Sequence, residues 1–225
     1  MRTLLLALVG ATCLTAPGVA LAQEVSGDIA VVSSYIDDDG FNYSQEDGRE
    51  FAAGTAVQAS LNISLGKSPC EIQFWGSKTL RSRLGDEFDA GFSCSIELDE
   101  KTEVTGTVSH FSLAGDDIVK FEGSLSHKTP IGTVDLMVSH YTWAQEDATR
   151  FQLGFSSTVS DSFDLRLYAT RETGFGLDPI VTAGVSGEYH LSERFSLTAN
   201  LVAPVSKYDG DPRATQFAVG IRATF

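Results

Sequence analysis

Three serine–histidine neighbours, Ser109-His110, Ser126-His127 and Ser139-His140, are the residues of this chain best suited by type to nucleophilic chemistry. Such chemistry needs a base within hydrogen-bond reach of the nucleophile. Each pair, however, lies in a segment whose apolar residues recur with a period near two, and successive side chains on a strand point to opposite faces. None of the three is a catalytic dyad by itself, so no catalytic residue is assigned and the chain reads as a non-enzyme. The histidines are expected at interfacial or polar-face positions.

The acidic stretch Ile36-Asp-Asp-Asp-Gly-Phe-Asn-Tyr-Ser-Gln-Glu-Asp-Gly-Arg-Glu50 invites a calcium reading. An EF-hand loop needs glycine at its sixth position, which here puts Tyr35 instead of an acid at the first. The motif fails, and a solvated acidic loop is expected, with no metal and no cofactor. Cys70 and Cys94 offer too few ligands for a tetrahedral zinc site. In an exported chain an even pair of cysteines predicts a structural disulfide.

Export is what the first residues indicate. Arg2, the apolar run Leu4 to Val9 and the small-x-small triplet Ala20-Leu21-Ala22 form a secretory signal over residues 1–22, leaving 23–225 as one domain. A lipoprotein signal ending at Cys13 is the poorer fit, because Gly10-Ala11-Thr12 lacks the usual leucine. The run is too short to span a bilayer, and no later stretch holds twenty apolar residues. Thirty acids against sixteen bases give a net charge of −14, which argues against binding nucleic acid through its phosphates.

The elements that carry these residues alternate. In Val57-Gln-Ala-Ser-Leu-Asn-Ile-Ser-Leu65 every odd position is apolar and every even one polar, and the pattern returns over Phe163 to Ala169 and Phe195 to Leu201. About a dozen such segments occur. The parity slips between Val104/Val108 and Phe111/Leu113, which predicts a bulge.

Short polar turns near Gly66, Leu98, Thr129, Val159 and Leu191 recur about every thirty residues. They alternate with longer connections at 36–51, 78–87, 113–118, 143–150, 171–179 and 205–215. This is a hairpin repeat of six units. It predicts an all-β, closed, antiparallel up-and-down transmembrane β-barrel of twelve strands, with ten the alternative and both ends on the short-turn side. Pairing the third and fourth strands around Ser82 sets Cys70 opposite Cys94. A soluble all-β sandwich or barrel competes. It is disfavoured by the one-sided loops, by the small polar face, and by rings at both ends of the apolar band. Those rings are Phe163, Phe195 and Phe225 beside the turns and Tyr141, Trp143, Phe151 and Phe217 beside the loops.

The last segment, Thr215-Gln-Phe-Ala-Val-Gly-Ile-Arg-Ala-Thr-Phe225, resembles the C-terminal targeting strand of bacterial outer-membrane barrels. That resemblance implies that Phe217, Val219, Ile221 and Phe225 face lipid and that the barrel-assembly machinery reads the terminal Phe. Ser33-Ser34-Tyr35, Ala56-Val57-Gln58 and Trp75-Gly76-Ser77 resemble the TorF-type porins of proteobacteria over residues 28–77. Where those carry Arg-Gly after the tyrosine, this chain has Asp37-Asp38-Asp39-Gly40.

Parity places Asp28, Glu71, Asp89, Glu97, Glu122, Asp135, Asp164 and Glu188 on the inner face, against Lys120, Arg166 and Arg222. The expected function is therefore a small Gram-negative outer-membrane porin, reached through the inner membrane by its signal peptide. Its narrow acidic lumen would favour cations or basic solutes. A closed structural or adhesive barrel with binding loops is the alternative. An outer-membrane enzyme such as a lipid hydrolase is a weaker one.

Overall fold

Segments with an apolar side chain at every second position make strands with one dry and one polar face, and such strands are stable only when both edges are paired. In the computed structural model twelve of them pair in series and the last returns to the first. It describes residues 24–36, 55–80, 86–113, 116–143, 147–174, 177–206 and 214–225. The strands are β1 Val25–Val32, β2 Ala56–Ser64, β3 Cys70–Thr79, β4 Glu87–Glu97, β5 Thr102–Leu113 and β6 Asp116–Thr129. The second half of the chain adds β7 Gly132–Trp143, β8 Ala148–Ser160, β9 Phe163–Gly174, β10 Leu177–His190, β11 Phe195–Ser206 and β12 Gln216–Thr224.

The sheet is a closed up-and-down barrel, antiparallel throughout, and β1 pairs with β12 from Asp28↔Thr224 to Val32↔Gly220. The secretory segment 1–22 and most of the acidic stretch at 36–50 lie outside the described residues.

Large apolar side chains cover the outer wall: Ile29 and Val31 on β1, Phe88 and Phe92 on β4, Phe121 on β6, Leu136 on β7, Leu153 on β8, Ile221 on β12. A continuous belt of this kind around a monomer is far beyond the few hundred Å² that a soluble surface normally leaves bare. The polar face turns inward, which removes the reason for a soluble sandwich.

The bulge expected in β5 is absent. Its register against β4 and β6 is unbroken, from Glu87↔Leu113 to Glu97↔Glu103 and from Thr102↔His127 to Leu113↔Asp116. The change of apolar parity instead means that Phe111 leaves the outer belt and enters the interior, where it is 9% exposed. Tyr141, expected in the loop-side ring, also points inward at 8%. Phe151 and Phe217 do face outward on that side, as Phe195 and Phe225 do beside the turns.

Two of the longer connections are shorter than expected. Pairing continues to Leu113↔Asp116 and to Leu177↔Gly174, so strand occupies most of 113–118 and 171–179. The register does break beside prolines. β9–β10 shifts across Leu177/Ile180, which brackets Pro179, and β10–β11 shifts where Val181 and Thr182 meet Ser206 and Pro204. Proline lacks the N–H that a ladder needs, so it is accommodated where pairing is already irregular.

Gly27 and Gly184 are two of the glycines that close approach requires. A Cβ on Gly27 would lie 2.4 Å from the Ser60 carbonyl oxygen and 2.8 Å from the Phe225 ring. The Gly27 N–H donates to the Phe225 carbonyl at 3.2 Å and the Phe225 N–H donates to the Gly27 carbonyl at 3.0 Å, so this contact closes the β1–β12 seam. Inside, Gly184 lies under Tyr168, whose ring carbon Cζ would be 2.1 Å from a Cβ there.

The Cys70–Cys94 disulfide is formed between directly opposed residues of β3 and β4, with Cα atoms 4.0 Å apart. Their neighbours Glu71 and Ser93 share a hydrogen bond inside the barrel, so the two sulfurs lie on the outer wall at the short-turn end.

Candidate functional site

The site is the interior. All eleven charges expected there sit at inward strand positions, because each is opposed across its ladder by another inward residue: Asp28 by Ser60, Glu71 by Ser93, Asp135 by Ser126, Arg222 by Ser196. Glu97 is the most outlying, exposed at the turn-side rim opposite Glu103.

The charges are organised in small networks. Asp164 and Glu188 oppose each other directly, an arrangement that repels unless each finds its own partner. Glu188 accepts from Arg222 Nη1 at 2.8 Å and from Ser196 Oγ at 2.5 Å. Asp164 meets His190 Nε2 at 2.7 Å and accepts from Thr158 Oγ1 at 2.7 Å. Asp28, 3.7 Å from Arg222 Nε, accepts from Ser60.

The opposite wall is more acidic. Lys120 pairs with Glu122 at 3.2 Å, Ser139 donates to Glu122, Ser126 donates to Asp135, and Gln73 and Ser93 donate to Glu71.

Sequence reasoning missed the most deeply buried ion pair. Arg150 on β8 gives Nε and Nη2 bonds of 3.0 and 2.8 Å to Glu172 Oε2 on β9, and the two residues are 9% and 6% exposed. The Tyr141 ring centroid is 5.3 Å from the guanidinium carbon, and Phe111 meets Tyr141 edge-on at 6.0 Å. The connections expected at 143–150 and 171–179 include both charged residues. Extending the alternation Phe151/Leu153 back and Leu167/Ala169 forward by one turn of the pattern would have turned both inward. Glu87, Glu103 and Lys128 are further charged residues at inward positions.

A cavity of 1060 Å³ occupies part of the interior. At the turn end it is lined by Pro130, Ser156, Asp164 and Glu188, and by Arg166, Tyr168 and Arg222 further along. At the loop end its lining comes from β12, β1, β2 and the residues just after β1, including Ser34, Ile36 and Gln58. Four of the eleven charges therefore touch it, two acids and two bases, and the acidic excess lies on β1, β3, β4 and β7.

The Tyr35 and Trp75 rings are 5.5 Å apart, Tyr35 Oη donates to Glu87, and Gln58 opposes Ser77.

The serine–histidine neighbours are split by the barrel wall. Ser139 is buried inside against Glu122, whereas His140 is outside against Thr149. In the Asp164–His190 pair the nearby hydroxyl, Thr158, bonds the carboxylate and not the imidazole, which is the reverse of a nucleophile–base–orienter relay.

Solved structures share this architecture. The KdgM porin aligns with a TM-score of 0.64 at 11% identity over 89% of this chain and 99% of its own. KdgM in complex with disordered oligogalacturonate aligns with the same score at 10% identity. The NanC porin aligns with a TM-score of 0.58 at 8% identity over 89% of this chain and 98% of its own. At these identities the likeness establishes a shared fold, a twelve-stranded closed barrel of the kind these porins have. No protein-family model matches the sequence, and no curated protein does.

Proposed function

We propose that this chain is an outer-membrane porin that passes small solutes through its interior. The observation that carries the reading is the cavity of 1060 Å³ inside a closed barrel whose outer wall is apolar. In hydrocarbon a closed barrel leaves no backbone group unpaired, and an apolar wall is then the favourable one. The similar folds of the KdgM and NanC porins agree with it, as does the porin resemblance in residues 28–77.

The balance of inward charge favours cations and neutral or basic solutes. Glu87, Glu103 and Glu172 against Lys128 and Arg150 leave the acidic excess of the original eleven in place. The KdgM complex holds oligogalacturonate, a polyanion. The electronegative wall of β3 to β7 disfavours such a solute here. Planar-bilayer recording of the refolded protein is expected to show conducting steps with a reversal potential on the cation side. Anion selectivity would overturn the charge assignment, and silence would overturn the porin reading in favour of the closed barrel that its paired charges also suit.

The remaining steps belong to biogenesis. Residues 1–22 direct export, and β12 presents Phe217, Val219, Ile221 and Phe225 on its outer face to lipid and to the barrel-assembly machinery. Deleting Phe225 is expected to lower the yield and rate of outer-membrane insertion, because it removes the two backbone bonds and the ring that cover Gly27. Normal insertion kinetics in pulse-chase fractionation would rule out a targeting role for that ring.

A further inference from the structure

The interior is filled unevenly. Nearly all of its buried residues lie in the loop-side half. The bulky ones are Phe111 on β5, Ile118 on β6, Tyr141 on β7, Arg150 and Gln152 on β8, Glu172 on β9, Ile180 on β10 and Val202 on β11, whereas β12, β1, β2 and β3 bury only small side chains there, such as Ala218, Ala30, Ala56 and Ser77. The turn-side half of the same strands holds half-exposed serines, threonines and carboxylates around the cavity.

The packed tier is cross-braced. Phe111, Ile118, Tyr141 and Ala148 form one apolar cluster, with the Arg150–Glu172 pair against the Tyr141 ring. One step toward the turns, Gln152 bonds Thr170 at 3.1 Å and accepts from Arg166 at 2.8 Å. Side chains that bond each other across neighbouring strands hold fixed positions, and a fixed position is what a size filter requires.

We infer that Phe111, Tyr141 and the Arg150–Glu172 pair form the size-selecting constriction of the pore. They fill the loop-side lumen from β5 to β9, and the cavity reaches the loop end on the side of the smaller residues of β12, β1 and β2, where Ser34, Ile36 and Gln58 line it. The path is thus wide at the turn end and eccentric at the loop end. Its cut-off is set by two rings and one ion pair, and the acidic rim residues such as Glu97 play no part in it. This inference rests on the porin reading.

The test is single-channel recording and liposome swelling with neutral sugars of graded size, using wild type and the Phe111→Ser/Tyr141→Ser variant. Neither ring packs in the lipid-facing belt, so their loss empties lumen and leaves the wall intact. The variant is expected to raise conductance about two-fold or more and to admit larger sugars, since pore diameter governs both. Leu153→Ala, on the lipid-facing side of β8, is expected to match wild type.

A heat-modifiable variant with wild-type conductance and cut-off overturns the constriction and leaves the porin reading standing. Silence from wild type and variant alike overturns both. If the double variant does not fold, Tyr141→Ala alone is read by the same two criteria.

Discussion

Replacing Glu172 by leucine is expected to destabilise the refolded barrel by about 3–5 kcal/mol, the usual cost of stranding one partner of a buried ion pair. Arg150 is 9% exposed, and its Nε and Nη2 bonds to Glu172 go to one carboxylate oxygen. Without Glu172 the guanidinium keeps its contact with the Tyr141 ring but loses a carboxylate that offsets its desolvation. Equilibrium unfolding in urea, followed by tryptophan fluorescence in micelles, reads the loss. An Arg150→Met/Glu172→Leu double replacement is expected to recover most of it, because the desolvation cost goes together with the charge. A single-variant loss of less than about 1 kcal/mol, the size typical of exposed pairs, would mean that water reaches the pair.

The second large effect concerns the outer wall. Replacing Cys70 and Cys94 together by serine is expected to cost about 3 kcal/mol, from the loop-closure entropy of a cross-link spanning 24 residues. The barrel should still form, since the β3–β4 ladder runs on from this pair to Ser77↔Glu87. The bond also guards the register. A one-residue slip would carry every inward residue of one strand to the lipid side, Glu71 and Asp89 among them, and directly opposed cysteines forbid it. A midpoint shift in urea with unchanged slope is the expected outcome. A variant as stable as the oxidised wild type would show that the hairpin is already fixed in the unfolded ensemble.

The inward charges were legible in advance because alternation is a local property. Leu61 and Ile63 place Asn62 inside whatever the rest of the chain does, and the same reasoning reaches Asp135 between Val134 and Leu136. It fails where the local signal is interrupted. Phe111 and Tyr141 are apolar residues at inward positions, and alternation alone reads such residues either as a slip in parity or as part of an outer ring. Arg150 and Glu172 were missed for a related reason. They stand close to loops rich in charge, where the pattern has too few turns of its period to be counted.

By itself the sequence determined the up-and-down order of the strands, the face of each residue in the clear segments and the pairing of Cys70 with Cys94, and it left the strand count at twelve or ten. All follow from a period of two residues within strands and of about thirty between hairpins. Only the tertiary structure decided which inward groups meet. Arg222 on β12 reaches both Asp28 on β1 and Glu188 on β10, and Arg150 finds Glu172 instead of a carboxylate on β6 or β7. Those choices depend on where β1 closes on β12 and how far neighbouring strands are staggered. They are properties of the whole sheet, and no segment carries them alone. The uneven filling of the lumen has the same origin: side chains far apart in the chain are brought to one height only when the barrel closes.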